Sequence, residues 1–338
     1  MIVSRAPVRI TLGGGGTDLP SYYEKYEGFL ISGAIDKYLL VGANKQFYDT
    51  INLKYSRQEE VTDVNDIKHN LFREALKMVG VTKRIELTSL ADVPAGSGLG
   101  SSGAFLISLL NTLYVYKNGY ELSKRELAEK ACEIELDILK EHEGKQDKYA
   151  CAFGWIKAYK FYKNGRVSVM PLANGDIVSS ELEKNISIFF TGNTRGHKAS
   201  DALKHQDEKT KKDGSKVLEV LHRIREIGIE TKKAFEEEDF DAFGCFLNEH
   251  WELKKKMSSS PQNKFIDKCY DHAIKHGALG GKVMGASTDV GFFMFYHPGS
   301  ENERKTFNNV MEDVGLRRMT FKFDKYGVTT MFNGDKSL

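Results

Sequence analysis

The residues best suited to chemistry in this chain of 338 residues form a glycine-rich segment, DVPAGSGLGSSG, at positions 92–103. Gly96, Gly98 and Gly100 allow backbone N–H groups to approach a ligand where side chains would block them. Ser101 and the residues after it favour a helix whose N-terminus attracts an anion. The segment therefore predicts a phosphate-binding loop, and it differs from the P-loop because GxxxxGK[ST] does not occur in the chain.

A second interpretation of the same segment is open. Gly98, Gly100 and Gly103 match the GxGxxG pattern of dinucleotide-binding enzymes, which would make the protein a nucleotide-dependent oxidoreductase. That pattern normally lies in the first βαβ unit of a chain, and the runs before it do not alternate strand and helix here. Binding of NADH without binding of ATP would favour this alternative.

Four consecutive glycines, Gly13–Gly16, lie in a second segment, APVRITLGGGGTDLP. A carboxylate on such an open loop is suited to accept hydrogen bonds from sugar hydroxyls, and Asp18 follows the glycines. Arg9, on the preceding predicted strand, is suited to face a phosphate or a reacting oxygen. The alternative is a flexible turn in which Asp18 caps a helix.

A third segment, EGKQDKYA at positions 143–150, contains Asp147 after a short loop that follows the helix of Glu135. Two carboxylates placed in this way can meet across the loop, so that one holds a metal and the other accepts a proton, as phosphoryl transfer requires. A surface or capping role for Asp147 is the alternative. A fourth segment, GALGGKVMGASTDVGF at positions 277–292, predicts another glycine-rich loop or a tight turn before an apolar strand.

The elements around these segments indicate an α+β protein rather than a doubly wound sheet. Ser123 and Glu126 predict a capping box, and Asn164-Gly165 predicts a hairpin turn. The polar stretch 174–184 is the candidate domain boundary. Predicted strands cover 2–4, 8–12, 29–31, 38–42, 51–55, 84–90, 155–162, 166–172, 186–191, 290–296, 317–323 and 328–332, and predicted helices cover 66–79, 102–116, 124–139, four patterns within 197–276, and 301–314.

Composition excludes several classes of protein. Hydrophobic residues make up 41% and the formal net charge is +2, so neither a disordered chain nor a broad charged face for nucleic acid or membrane is expected. The four cysteines show no metal-type spacing. With no apolar run of about 20 residues and no signal-peptide pattern, we expect a cytoplasmic protein without nucleic-acid or membrane partners.

The glycine-rich segments, taken in this order, resemble the GHMP kinase superfamily over nearly the whole chain. The resemblance implies an ATP-dependent small-molecule kinase that uses Mg²⁺ and transfers phosphate to an alcohol group. It also implies an N-terminal α/β domain with a left-handed crossover, here residues 1–180, and a ferredoxin-like C-terminal domain, here residues 181–338. ATP and substrate would bind between the two domains.

The same resemblance implies roles for individual residues. Asp147 is the expected catalytic base, Arg9 the residue that acts on the attacked hydroxyl or the γ-phosphate, and Ser102 and Glu135 the Mg²⁺ ligands. The expected sugar contacts are Gly15, Thr17 and Asp18. The loop that wraps the ATP phosphates comprises Pro94, Ala95, Gly96, Ser97, Gly98, Leu99, Gly100, Ser101 and Ser102.

Within the superfamily, LGGGGTDLPSY, VPAGSGLGSSGAF, GKQD and GGKVMGA resemble the branch that phosphorylates the anomeric hydroxyl of heptose 7-phosphate. Arg195, in the basic segment TGNTRGHK, and Lys282 are the predicted contacts of the distal sugar phosphate. Residues 287–289, Ser-Thr-Asp, replace the glycines usual in the third motif. The alternatives are a fucokinase-like or galactokinase-like enzyme acting on an unphosphorylated sugar, and a non-catalytic sugar-binding regulator, which the presence of the catalytic residues disfavours.

Overall fold

Two β-sheets organise the chain, an eight-stranded mixed sheet and a four-stranded antiparallel sheet. The computed structural model describes residues 1–192, 199–210, 216–257 and 263–334. In chain order the strands are β1 (Ile2–Gly13), β2 (Gly28–Lys45), β3 (Ile51–Lys54), β4 (Gln58–Val61), β5 (Ile85–Ala91), β6 (Ile156–Phe161), β7 (Val167–Pro171), β8 (Ile186–Phe190), β9 (Gly280–Val283), β10 (Phe292–Tyr296), β11 (Arg317–Met319) and β12 (Thr329–Asn333).

Helices separate and cover these strands. They are α1 (Pro20–Tyr26), α2 (Asn70–Val79), α3 (Ser101–Asn118), α4 (Lys124–Cys132), α5 (Gln146–Phe153), α6 (Gly175–Asn185), α7 (Ala199–Thr210), α8 (Lys216–Glu236), α9 (Phe240–Met257), α10 (Lys264–Lys275) and α11 (Glu301–Asp313), with a 3₁₀ turn at Val64–Asp66 and a π-helical turn at Glu133–Ile138. No helix in the described ranges is long and apolar enough to cross a membrane.

The long strand β2 holds the first sheet together. Its N-terminal part pairs with β6 and its C-terminal part with β5, while β1 runs antiparallel along nearly its whole length. The order on the main path is β12-β1-β2-β5-β3-β4. Strands β3 and β5 are parallel and are joined through α2, and the left-handed sense of this crossover stays a prediction.

The second sheet has the order β11-β8-β10-β9. Helices lie between β8 and β9 and between β10 and β11, which gives a βαββαβ sequence of elements. This order and connectivity are those of a ferredoxin-like fold, so the prediction for the C-terminal half is confirmed.

Helix α3 packs against the first sheet, and the glycine loop directly precedes its N-terminus. Its residues from Gly103 to Val115 are all buried, and it packs on both β1 and β2. The apolar sequence of this stretch explains the burial, because a helix that is hydrophobic on all sides needs protein on all sides. The packing of this buried stretch on β1 and β2 thereby positions the start of α3.

Several elements differ from their predicted bounds. The polar stretch 174–184 is not a linker, since it forms most of α6, and Gly175–Asn185 leads directly into β8. The division at residue 180/181 stays a prediction, and the structure adds that β12 returns to pair with β1 in the first sheet. The capping box of Ser123 and Glu126 is confirmed, but regular α4 ends at Cys132.

Candidate active site

A cleft of about 710 Å³ opens beside the N-terminus of α3 and is lined by residues from both sheets. Most of the residues singled out from the sequence line it. They are Arg9, Gly15, Asp18, Ala95, Gly96, Gly98, Gly100, Ser101, Ser102, Glu135, Asp147 and Lys282.

Four other predicted residues do not line this cleft. Thr17 is fully buried, and its hydroxyl lies within hydrogen-bond distance of the Gly14 and Phe29 carbonyl oxygens, at 2.9 and 3.1 Å. The Thr17 hydroxyl therefore forms hydrogen bonds within the turn, whereas the sequence analysis expected it to contact the sugar. Within the loop, Ser97 and Leu99 are buried and Pro94 is exposed. A further predicted residue, the phosphate contact Arg195, lies outside the described residues.

The glycine loop is tightly held between the two sheets. Gly98 has φ +87°, and a Cβ atom there would lie 2.4 Å from the Met284 carbonyl oxygen. Gly100 has φ +76°, and its Cβ would lie 3.0 Å from Asp147 Oδ2. Both glycines are therefore required by conformation and by close approach. The Phe292 N–H also donates to the Ser97 carbonyl oxygen at 3.2 Å, which ties the loop to β10.

Arg9 and Asp147 form an ion pair in the cleft. Arg9 Nε and Nη2 each lie 2.7 Å from Asp147 Oδ1, and Arg9 Nη1 donates to the Gly98 carbonyl oxygen at 2.7 Å. Burial lowers the pKa of Arg9, but the charge and hydrogen bond of Asp147 more than offset it, so the pKa is raised overall. The pair places a carboxylate proton acceptor beside a fixed positive charge.

Asp18 is buried near this pair. It accepts hydrogen bonds from the backbone N–H groups of Gln146, at 2.9 Å, and Gly16, at 3.3 Å. Burial raises the pKa of Asp18, the Gln146 hydrogen bond opposes that rise, and the Asp147 charge adds to it. Gly144 passes so close that a Cβ there would clash with the Asp18 carboxylate.

Ser102 and Glu135 are brought together at the start of α3. Ser102 Oγ donates to Glu135 Oε1 at 3.0 Å. Glu135 lies in the π-helical turn after α4, where the wider backbone redirects side chains, and such turns are frequent at functional sites. Its other oxygen forms an ion pair with Lys148, which is 1% exposed.

The C-terminal domain contributes a basic wall. Lys282 is 3% exposed, and its Nζ lies 3.2 Å from His250 Nδ1. Burial, followed by the charge of Arg9, lowers the pKa of Lys282 to about 7. Lys254 donates to the carbonyl oxygens of Val283 and Gly285 at 2.6 Å each and fixes the end of β9.

In the third motif, the Ser287 hydroxyl donates to the Asp289 carboxylate, and Ser287 also lines the cleft.

Sequence reasoning missed several residues of the cleft. Glu143 and Lys148 lie in the same EGKQDKYA segment as Asp147, so their position in the sequence was a usable signal. Burial raises the pKa of Glu143 to about 8, with Lys148 opposing and Glu135 adding to the rise. His250 lies on α9 in the middle of an ordinary amphipathic helix, and nothing local in the sequence marks it.

The other part of the cleft is apolar. Leu39 and Ala91 are paired across β2 and β5, Val93 follows β5, and Phe105 lies on the first turns of α3. The His69 ring packs against Phe105 with 5.5 Å between ring centroids. A surface of this kind, next to a phosphate-binding loop, suits the flat base of a nucleotide.

The fold and this cleft define a phosphate-transferring enzyme of two domains. Residues 67–155 match a family model that describes the N-terminal domain of GHMP kinases. The D-glycero-α-D-manno-heptose 7-phosphate kinase of Campylobacter jejuni is 31% identical, over 97% of this chain and 98% of that protein.

Solved structures agree. A D-glycero-D-manno-heptose 1-phosphate kinase from Bacteroides thetaiotaomicron aligns with TM-score 0.79 and 25% identity, covering 98% of this chain and 99% of the other. A sugar kinase structure from Campylobacter jejuni aligns with TM-score 0.77 and 28% identity, covering 97% of both chains. The chain belongs to the GHMP kinase family. It is therefore an ATP-dependent small-molecule kinase, as the resemblance implied.

Proposed function

We propose that the protein transfers the γ-phosphoryl group of ATP to the anomeric C1 hydroxyl of D-glycero-D-manno-heptose 7-phosphate, giving the 1,7-bisphosphate, in the cytoplasm. The observation that carries the chemistry is the Arg9–Asp147 pair beside the glycine loop. The choice of acceptor is supported by the near full-length similarity to a heptose 7-phosphate kinase.

The residues of the cleft divide into two groups that suit this reaction. The backbone around Gly96, Gly98 and Gly100 and the start of α3 would bind the ATP phosphates, with the base against the apolar wall near Phe105. Gly15 and Asp18, on the side of β1, would receive the sugar, whose hydroxyls can donate to the Asp18 carboxylate.

Asp147 would accept the proton of the attacked hydroxyl as the new O–P bond forms and the bond to the ADP oxygen breaks. The ion pair with Arg9 keeps that carboxylate oriented and leaves Oδ2 close to Gly100, at the loop. The fixed guanidinium also stabilises charge that develops on the transferred group.

The donor set at Ser102 and Glu135 fits Mg²⁺. Both groups are hard oxygen donors, and Mg²⁺ usually takes one or two protein oxygens together with phosphate oxygens and water. Within the described ranges, no group of three or more His, Cys, Asp and Glu side chains forms a complete metal cage. When bound, Mg²⁺ neutralises charge on the β- and γ-phosphates.

Lys282 and, from sequence alone, Arg195 are the proposed contacts of the 7-phosphate. Lys282 lines the cleft from the opposite domain, so it can reach an anion bound beside Arg9. The volume of the cleft, about 710 Å³, is within the range of small-molecule and cofactor sites in proteins.

The test is a coupled assay with ATP and Mg²⁺ against heptose 7-phosphate, unphosphorylated heptose, fucose, galactose and mevalonate. We expect kcat/KM to be highest for heptose 7-phosphate and the product to carry its new phosphate at C1 by ³¹P NMR. Equal use of the phosphorylated and unphosphorylated heptoses would contradict the proposed acceptor and favour a fucokinase-like or galactokinase-like enzyme. If none of these acceptors is phosphorylated, the sugar-kinase assignment is contradicted.

A further inference from the structure

Lys148 and Lys282 are both buried and both line the cleft, but they have different kinds of partner. Lys148 forms an ion pair with the Glu135 carboxylate. Lys282 Nζ instead lies 3.2 Å from Nδ1 of the His250 ring, and among the residues that the structure describes no carboxylate pairs with it. The charge that acts on Lys282 is that of Arg9, which has the same sign. Because a buried ammonium group without an anion is costly, we expect a ligand to supply the counter-charge of Lys282.

His250 reaches Lys282 because α9 and β9 pack in close contact. A Cβ atom at Gly280, two positions before Lys282, would lie 2.2 Å from the Gly244 carbonyl oxygen of α9. The glycine therefore allows the backbones of the strand and the helix to approach each other. His250 and Lys254 are four positions apart, so they share a face of α9, and both line the cleft.

The chemistry of the two groups decides which one donates. An ammonium group can only donate, so when Lys282 is charged the Nδ1 atom of His250 must be the unprotonated, accepting nitrogen. Burial, followed by the charges of Lys282 and Lys254, holds the pKa of His250 well below its usual value, so the ring stays neutral. A neutral acceptor directs the ammonium group without cancelling its charge. A carboxylate in the same place would cancel that charge and would repel a phosphate group.

We propose that His250 is a positioning residue for recognition of the acceptor phosphate: it accepts a hydrogen bond from Lys282 and leaves the ammonium charge for a phosphate monoester bound in the cleft. This inference rests on the proposed function, because it adds a residue to the recognition of the 7-phosphate. His250 acts through Lys282, and no contact of the ring with the reacting atoms is required.

The test compares two variants of nearly equal shape, His250→Asn and His250→Asp. Asparagine offers Lys282 a neutral acceptor near the position of Nδ1, whereas aspartate forms an ion pair with it. The measured quantity is the ratio of kcat/KM for heptose 7-phosphate to kcat/KM for unphosphorylated heptose. We expect His250→Asn to keep most of the wild-type ratio and His250→Asp to lower it by about tenfold or more, because the phosphate loses a charged hydrogen bond.

Two measurements accompany this comparison. The dissociation constant of ATP, determined by calorimetry, should be the same in both His250 variants. His272→Asp is the control for the change of charge, because His272 lies on α10 and does not line the cleft. It should keep the wild-type ratio.

A further pair of variants tests whether His250 acts through Lys282. His250→Leu removes the acceptor and should lower the ratio in an otherwise wild-type chain. In a Lys282→Met chain, whose ratio is already lowered, the same change should cause no further decrease, since the side chain that His250 positions is absent. The thermal unfolding midpoint of each variant shows whether folded chains are being compared.

Three results would overturn the inference. They are equal ratios in His250→Asn and His250→Asp, a further decrease on adding His250→Leu to Lys282→Met, and a loss of ATP affinity in His250→Asp with an unchanged ratio. The last of these would assign the charge of Lys282 to the nucleotide. A wild type that uses both heptoses equally would instead contradict the proposed acceptor, whatever the variants do.

Discussion

Asp147 Oδ1 receives both Nε and Nη2 of Arg9 at 2.7 Å, while its Oδ2 is left facing the glycine loop at Gly100. The carboxylate therefore has one oxygen fixed by charge and one oxygen open toward the place where phosphate is expected. Such a division lets a single aspartate be oriented and still accept a proton. Arg9 and Asp147 are 138 positions apart in the chain, and they meet because β1 and α5 bring them together.

Asp147→Asn should reduce kcat by about 10²-fold or more, because the carboxamide fills the same space but cannot accept the hydroxyl proton. The dissociation constant of ATP, measured by calorimetry, should stay near the wild-type value. Asp176→Asn, at an exposed surface ion pair, is the matched control and should leave kcat unchanged. A variant that keeps a tenth or more of the wild-type kcat would contradict the assignment of Asp147 as base.

Local sequence patterns predicted the parts of this site that depend on backbone freedom. The glycines at 96, 98 and 100 all have positive φ, and the sequence alone indicated that a side chain would obstruct the loop there. The start of α3 and the hairpin at Asn164-Gly165 were also predicted, because helix and turn signals are short in range.

Contacts across long sequence distances could not be predicted in the same way. His250 meets Lys282 only because α9 packs on β9, and no pattern within α9 indicates that approach. The sequence predicted that Glu135 and Asp147 could meet, but it did not indicate the π-helical turn that carries Glu135. It also did not indicate that Lys148, next to Asp147 in the chain, would form an ion pair with Glu135. The return of β12 to β1 is likewise a tertiary pairing of two chain ends.

Ser102→Ala and Glu135→Gln should each raise the Mg²⁺ concentration that gives half-maximal activity, since each removes a hard oxygen donor. We expect a shift of about tenfold for Glu135→Gln and a smaller shift for Ser102→Ala, because a carboxylate is the stronger ligand. Calorimetric titration of Mg²⁺ into the complex with a non-hydrolysable ATP analogue checks the same shift without turnover. Unchanged titrations for both variants would place the metal elsewhere.

Gly98→Ala should weaken ATP binding by roughly tenfold or more, which corresponds to about 1.4 kcal/mol. The new Cβ would lie 2.4 Å from the Met284 carbonyl oxygen and would push the loop away from the second domain. Gly119→Ala is the matched control, because Gly119 has φ +78° but nothing within 4 Å of the added atom. Both variants should lose some thermal stability, and only Gly98→Ala should lose affinity for ATP; equal affinities in both would contradict the role of the loop.

Lys282→Met should change how stability depends on pH. Lys282 has a folded-state pKa of about 7 against 10.5 in the unfolded chain, so the unfolded state binds more protons between these values. The Lys282 contribution to the free energy of unfolding should therefore rise with pH above about 7, with one pKa unit worth about 1.36 kcal/mol. Urea unfolding at pH 6.5 and 9 measures this, and the stability of wild type relative to the variant should increase at the higher pH. A difference that does not change with pH would contradict the lowered pKa.

Arg195→Ala should selectively reduce the use of phosphorylated acceptors. Arginine grips a phosphate with two parallel hydrogen bonds, and losing such a contact costs about 1.5–3 kcal/mol, or roughly ten- to a hundredfold in kcat/KM. The assay compares heptose 7-phosphate with unphosphorylated heptose in wild type, in Arg195→Ala and in Arg166→Ala. Arg166 is the control because it lies in the β6–β7 hairpin and does not line the cleft. The Arg195 variant should lose most of the preference for the phosphorylated sugar while its affinity for ATP stays unchanged. If the preference survives in Arg195→Ala but falls in Lys282→Met, the 7-phosphate is held from β9 and not from the segment of Arg195.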